Sequence, residues 1–460
     1  MTLNPADSTI FGGLFGTDEI RRLFDDRRRL GFMLQVEVAL ARAQAALGII
    51  PTEAAEAIAK VADPAKLDLA LIRAETEKAG QPVMALAKAL TQAAGPEAGR
   101  WVHWGATTQD ITDTALVLQL RAALDFIERD LLALIRALAT QAETHRATVM
   151  AGRSFLQQAL PVSFGYKVAV WLAPVLRHVE RLEQLKPRLL QVQFGGAVGT
   201  LASLGEKGRA VTERLAADLG LACPIAPWHS SRDTIAELGA WLGLVAGSLA
   251  KFAGDVTLLA QTEFGELVET TEGGRGGSST MPQKRNPIIC THILAAAMGV
   301  EAQVPLLLAA QHHQLERAVG PWQAEALALP QALALTAGAL AQAARVAEAM
   351  RPDVRRMRAN LAITNGLVMA ERVMMALADT LGRSEAHHLV QDACLAAMAE
   401  NRPLREILGG NDQVLCVLDA AALDRLMDPA GYLGESETVV DRVVAMARAL
   451  SKRHVPHPAR

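Results

Sequence analysis

Apolar residues recur at helical intervals through Leu116, Leu120, Leu124, Ile127, Leu131 and Ile135, and no Gly or Pro interrupts the chain from Ala106 to Ala151. Side chains three and four apart share a helix face, so this spacing predicts a helix over 110–144, roughly 50 Å long at 1.5 Å per residue. Further helical runs cover 163–185, 232–267, 288–315 and 324–350, with Pro174, Pro305 and Pro330 as expected kinks. Five long helices pack most simply up and down in a bundle, with the most apolar stretch, 238–250, near its middle. The segment 326–344 carries no charge over 19 residues, as a membrane span would. It also holds Pro330, Gln331, Thr336, Gly338 and Gln342, and much of the rest is alanine, so a buried bundle helix is expected instead.

At the start, Thr17 caps an expected helix whose first turn carries Asp18 and Glu19 and which runs to about Leu47, where Gly48 to Pro51 end it. A second helix starts at Thr52, and short helices then alternate with Pro64, Gly80 and Pro82. The mixed charges Arg21-Arg22, Asp25-Asp26 and Arg27-Arg28-Arg29 sit at helical spacing and read as a solvated, self-paired face. After Pro352 the pattern shortens again, and the tail 451–460 reads as frayed. The expectation is an all-α chain of three helical domains: 1–109, a central long-helix bundle over 110–351, and 352–460.

Composition narrows the class. The 460 residues are 51% hydrophobic but only 4% aromatic, and a net charge of -3 gives no footprint for nucleic acid. Cys223, Cys290, Cys394 and Cys416 lie far apart and form no C-x-x-C pair, which favours free thiols over a disulfide or zinc framework. The first residues lack the basic and apolar regions of a secretory signal, so a cytoplasmic location is expected. The adjacent pairs His312-His313 and His387-His388 diverge by about 100° on a helix and read as structural, not as metal ligands.

Chemistry concentrates in Gly273-Gly274-Arg275-Gly276-Gly277-Ser278-Ser279-Thr280-Met281-Pro282-Gln283-Lys284-Arg285-Asn286-Pro287, a flexible glycine strap followed by hydroxyls, a cation, an amide and prolines. The spacing of a Walker phosphate loop is absent. The string G-S-S-x-M-P-x-K-x-N-P resembles the signature of the fumarase/aspartase superfamily. Two further stretches resemble that superfamily: His103-x-Gly105-x-Thr107-Thr108-Gln109-Asp110, and Gly152-Arg153-Ser154-Phe155-Leu156-Gln157-Gln158-Ala159-Leu160-Pro161, the latter similar to G-R-T-H-L-Q-x-A-x-P. The resemblance implies that Ser278 exchanges the proton on the carbon next to a carboxylate, with Ser279 as fallback. It implies that Lys284 and Asn286 hold that carboxylate and the aci-carboxylate formed from it. Thr107, Thr108, Gln109 and Gln157 match binding donors, and His103 and Arg317 match anion contacts of the adenylosuccinate-lyase branch. It also implies homotetramers whose active sites draw on three copies, with no cofactor and no metal.

Two departures carry information. Where the superfamily has a histidine, and a glutamate that works with it, this chain has Phe155 and Thr291, neither a proton-transfer group at neutral pH. An addition whose nucleophile is already an anion needs no such acid or base, and a carboxylate tethered within the substrate is such a nucleophile. That points to lactone closure of a muconate, and the chain resembles the superfamily's branch of bacterial 3-carboxy-cis,cis-muconate cycloisomerases. Three other readings stay open: the same closure of a 3-sulfomuconate, a C-N lyase of the adenylosuccinate type, and a non-catalytic structural protein on the same scaffold.

Overall fold

The computed structural model describes residues 4–269, 274–317 and 319–454. Among them are nineteen α-helices and two two-stranded antiparallel sheets, so the chain is all-α in class. The five long helices are Thr108–Thr144, Phe164–Leu189, Asp233–Ala260, Ile288–Ala309 and Pro321–Ala349, and Pro174, Pro305 and Pro330 each lie inside a helix that continues past them. Of the six residues that define the expected stripe, five are buried and Leu116 is half-buried. Three of the long helices, Asp233–Ala260, Ile288–Ala309 and Pro321–Ala349, are long and apolar enough to cross a membrane by length and composition. The last of them nonetheless buries Ala328, Leu329, Ala332, Leu333, Leu340 and Val346 within the chain itself.

Several helix ends differ from expectation for local reasons. The N-terminal helix is two helices, Asp18–Leu23 and Asp26–Ala46. Thr17 caps the first through Ile20 N–H, and Asp25 breaks the run by capping the second through Arg28 N–H. The helix expected to reach 267 stops at Ala260, where Gly265 takes φ +59° and its N–H closes a turn on the Gln261 carbonyl. The helix expected to reach 315 stops at Ala309.

The chain divides into two compact units. The first takes residues up to Leu131, His178–Leu249 and His292–Ala341; the second takes Leu132–Arg177, Ala250–Thr291 and everything from Gln342 on. In the first unit the opening half of the long helix is buried on most sides, through Ile111, Ala115, Val117, Leu118, Leu120 and Leu124. The second unit has its own core, where helices Ala370–Leu381 and Arg383–Glu400 bury Val373, Leu377, Ala386, Leu389 and Val390.

The second unit also contains a β-hairpin that helical periodicity does not reveal. Strands Val149–Ser154 and Gln157–Ser163 pair antiparallel, with Ser154 opposite Gln157 and an irregularity between Ala151 and Arg153. A Cβ on Gly152 would lie 2.7 Å from the Leu160 carbonyl oxygen, so glycine is what lets the two strands approach there. Ala151 packs with Leu361, Val368 and Met369 and anchors the hairpin to its unit.

Candidate functional site

The first unit gathers one group of candidate residues around the start of helix Thr108–Thr144. Ahead of it, His103 and Gly105 both take left-handed backbone, with φ of 60° and 73°. Strain at a non-glycine residue persists only where the surroundings hold it. Here His103 Nδ1 lies 2.6 Å from Glu37 Oε1, and the Gln44 amide donates to the Trp104 carbonyl at 2.6 Å. Glu37 is 2% exposed. Burial pulls His103 toward its neutral form, but the hydrogen bond to Glu37 and that carboxylate's charge outweigh it and hold the imidazole above its ordinary value. The ring therefore holds a proton more tightly than a free imidazole does.

Asp110 ties this turn to a glycine loop. Its Oδ2 accepts from the Thr107 and Gly196 N–H groups, and its Oδ1 from Gly195 N–H at 2.9 Å and His229 Nε2 at 2.7 Å. A Cβ on Gly195 would sit 2.8 Å from His229 Cε1, so the loop packs this closely only with glycine. Arg317 donates to the carbonyls of Gly196 and Ala197 at 3.0 and 2.7 Å. The His103 turn, Thr107, the glycine loop and Arg317 are thus joined directly or through one intermediary. Gln109 takes a different position: it is buried, and its amide donates to Asp113 Oδ2 and the His229 carbonyl. Asp113 in turn accepts both terminal nitrogens of Arg232, which also pairs with Glu325. Gln109 therefore braces the start of the helix, and its N–H groups are committed to protein partners.

The second unit holds the rest. The glycine strap begins at Gly273, which lies outside the described residues; from Gly274 to Pro287 the chain folds back on itself. Gly277 bridges Arg285, and Asn286 donates to the Gly276 carbonyl through both its backbone N–H, at 2.8 Å, and its side-chain amide, at 3.1 Å. Gly276 has φ +74°, and a Cβ there would stand 2.2 Å from the Asn286 carbonyl oxygen. The base of the loop is pinned by Glu269, whose two carboxylate oxygens accept from the Ile289 and Cys290 N–H groups at the start of helix Ile288–Ala309. Burial, helped by Glu269, holds the Cys290 thiol far above its ordinary range, so it stays protonated.

Within the loop, Ser278 Oγ accepts from Thr280 N–H at 3.2 Å and Met281 N–H at 3.0 Å. Two N–H donors on one oxygen leave the hydroxyl proton free to be given away and stabilise negative charge left behind. Ser279 and Lys284 are exposed, and Lys284 makes no ion pair among the described residues. Gln157 is exposed at the hairpin end. Beside it, Phe155 and Leu156 form a two-residue turn with φ of 50° and 62°, and Phe155 is fully exposed. Thr291 donates its hydroxyl to the Ile288 carbonyl at 2.7 Å. Glu37, Asp110 and Glu269, the carboxylates that organise the two groups, were not singled out by sequence; each acts on residues distant in the chain or, for Asp110, looks like an ordinary first-turn acid.

Two family models match: Lyase over residues 15–302, and Adenylosuccinate lyase C-terminus over 366–443. The chain is 48% identical over 453 residues to 3-carboxy-cis,cis-muconate cycloisomerase of Pseudomonas aeruginosa, covering 98% of each chain. It is 42% identical over 432 residues to trans-aconitate decarboxylase 1 of Mycosarcoma maydis, covering 94% of this chain and 88% of that one. The crystal structure of 3-carboxy-cis,cis-muconate lactonizing enzyme from Pseudomonas putida superposes with a TM-score of 0.91 at 45% identity, covering 96% of this chain and all of the other.

Proposed function

The chain belongs to the Lyase family, and from that premise we infer that it is an intramolecular lyase that closes 3-carboxy-cis,cis-muconate to 4-carboxymuconolactone. A carboxylate of the substrate attacks the conjugated double bond, electrons collect on the aci-carboxylate at its far end, and a proton delivered to the adjacent carbon completes the lactone. The observation that carries this reading is the pairing of a serine prepared to give a proton with the want of a proton-transfer group at Phe155 and Thr291. Ser278 has two N–H groups on its oxygen, whereas Phe155 points into solvent and Thr291 is bonded to its own helix. A ring closure by an anionic nucleophile needs one proton delivered, and no more.

In this mechanism Ser278, or a water it positions, supplies the proton. Lys284, Asn286, Arg317 and the Thr107-Thr108 turn hold the substrate's carboxylates, with His103 as a further cation and Ser279 and Gln157 as hydroxyl and amide donors. Fixed positive charge is most effective at the aci-carboxylate, where charge develops during reaction. The trans-aconitate relative also acts on an unsaturated tricarboxylate, which agrees with a site built for several carboxylates. No cofactor or metal enters the scheme.

We propose a cytoplasmic homotetramer in which each active site draws pieces from more than one copy. Support comes from apolar side chains left exposed on the long helices: Leu244, Met298, Leu308 and Leu327 are each 44–72% accessible. The test of the activity is loss of diene ultraviolet absorbance from 3-carboxy-cis,cis-muconate, run beside its 3-sulfo analogue, trans-aconitate and adenylosuccinate. Turnover of the carboxymuconate ahead of the other three is expected. Fumarate release from adenylosuccinate, with the muconates untouched, would overturn the reading.

A further inference from the structure

Three arginines follow one another at Arg27-Arg28-Arg29, and the chain uses the side chains of only two. Arg27 donates to the Pro64 carbonyl at 2.9 Å, and the Arg28 guanidinium lies over the Phe32 ring at 5.0 Å. Arg29 is half-buried, and its guanidinium has no hydrogen bond, ion pair or ring contact among the described residues. Charge drawn away from water is normally paired, so this guanidinium, with its fork of donors, is left for a partner that the chain does not supply.

Arg29 lines a cavity of about 180 Å³ that lies within the first unit. Its other walls are mostly apolar and include Phe24, Met33, Leu116, Leu329 and Pro330. An apolar cavity of roughly 150 Å³ holds one benzene ring. The polar groups of the lining fall into two kinds. Asp113 and Glu325 are spent: Asp113 accepts from Trp322 Nε1, from Gln109 and from both terminal nitrogens of Arg232, and Glu325 accepts from the same guanidinium through both oxygens. Burial also raises the Glu325 carboxyl, which lessens the negative charge that a bound anion would meet. The side-chain amides of Gln81 and Gln323, like Arg29, have no partner among the described residues. A planar fork of donors beside a slot for one ring fits a carboxylate carried on that ring. None of the residues assigned to the polycarboxylate substrate lines this cavity.

We propose that the cavity binds a small aromatic monocarboxylate, with the ring against Phe24, Leu116 and Leu329 and the carboxylate on Arg29. The proposal does not rest on the cycloisomerase reading. The probe is benzoate, titrated into the whole chain by calorimetry beside benzamide, its uncharged isostere. One benzoate per chain is expected, held at least about tenfold more tightly than benzamide, as a hydrogen bond to a charged group predicts. Arg29→Met should remove that preference, and Ala326→Phe, which fills the cavity from an exposed position on its wall, should weaken both ligands. Lys284→Ala should leave the affinity for benzoate unchanged, because that cation belongs to the polycarboxylate site. Should either cavity variant not fold, benzoate must move the indole N–H resonance of Trp322, which lines the cavity, in the unaltered protein and spare that of Trp171, which belongs to the second unit. Benzoate bound no better than benzamide, an unmoved Trp322 resonance, or binding kept in Arg29→Met and lost in Lys284→Ala would overturn the proposal. The last of these would place the ring acid in the polycarboxylate site instead.

Discussion

Glu37 and His103, 66 positions apart in sequence, meet through a 2.6 Å hydrogen bond in which a buried carboxylate holds an imidazole of strained backbone. Because His103 is raised above 6.5, its protonated form and the stability of the pair are fully present below 6.5 and are lost as pH rises through the raised value. With His103 as a carboxylate-binding cation, kcat/KM should fall on the alkaline side along the same titration. Glu37→Gln removes the charge that raises His103, so the fall should begin at lower pH. A pH profile of kcat/KM whose alkaline limb is identical in the two proteins would remove His103 from substrate binding.

The loop 274–287 depends on one residue. Gly276→Ala would place a methyl group 2.2 Å from the Asn286 carbonyl oxygen at a φ of +74°, and the resulting strain, about 1–3 kcal/mol or more, falls on the turn that carries Ser278. We expect turnover to drop at least about tenfold, by the usual conversion of free energy into rate, while the circular dichroism of the helices and the melting temperature stay close to those of the parent. Parental turnover would mean that the loop's shape is not needed for the reaction.

Arg232 is buried between Asp113 and Glu325 and stacks on the Trp228 ring at 4.7 Å. Burial raises the Glu325 carboxyl although Arg232 pulls it down. Arg232→Met leaves two buried carboxylates facing each other, which should cost about 3–5 kcal/mol of stability. One of them then gains stability by holding a proton. The variant's deficit in urea unfolding should therefore shrink as pH falls from 8 to 5, because a carboxyl raised by folding stabilises at low pH and loses that contribution as pH rises. Glu325→Gln leaves Asp113 to balance the cation and should be milder. An equal deficit at both pH values would mean that solvent reaches the carboxylates.

The helix Thr108–Thr144 is legible because its period is unbroken by Gly or Pro, and the other long helices because their apolar runs continue through the few Gly and Pro they contain; the loop 274–287 stands out because its composition is dense and local. Features made by partners distant in sequence are not. Nothing near Glu37 announces His103, and nothing near Glu269 announces that it will cap Ile289 and Cys290 across the loop. The hairpin escapes for a different reason: its turn is Phe155-Leu156 where left-handed backbone favours Asn or Gly. The break before Asp26 is readable in Asp25, but the apolar period of the following helix continues the preceding one closely enough to hide it.

Ser278→Ala should remove most turnover, by about 10²–10⁴-fold if the hydroxyl delivers the proton. The backbone N–H groups of Thr280 and Met281 lose only an acceptor in an exposed turn, so the fold should persist. Near-parental kcat would leave proton delivery to another group.

The same variant tests the shared site. Ser278 belongs to the second unit and His103 to the first. If an active site takes its Ser278 loop from one copy and its His103 turn from another, Ser278→Ala and His103→Ala chains, each inactive alone, should restore activity when unfolded together and refolded as mixed oligomers. Random pairing gives sites with both residues intact about a quarter of the time in an equal mixture. Sedimentation should show a mass near four times the 49.0 kDa chain for parent and mixture alike. Mixed oligomers without recovered activity would place both residues of each working site in a single copy, and the exposed apolar faces of Met298 and Leu308 would then account for assembly alone.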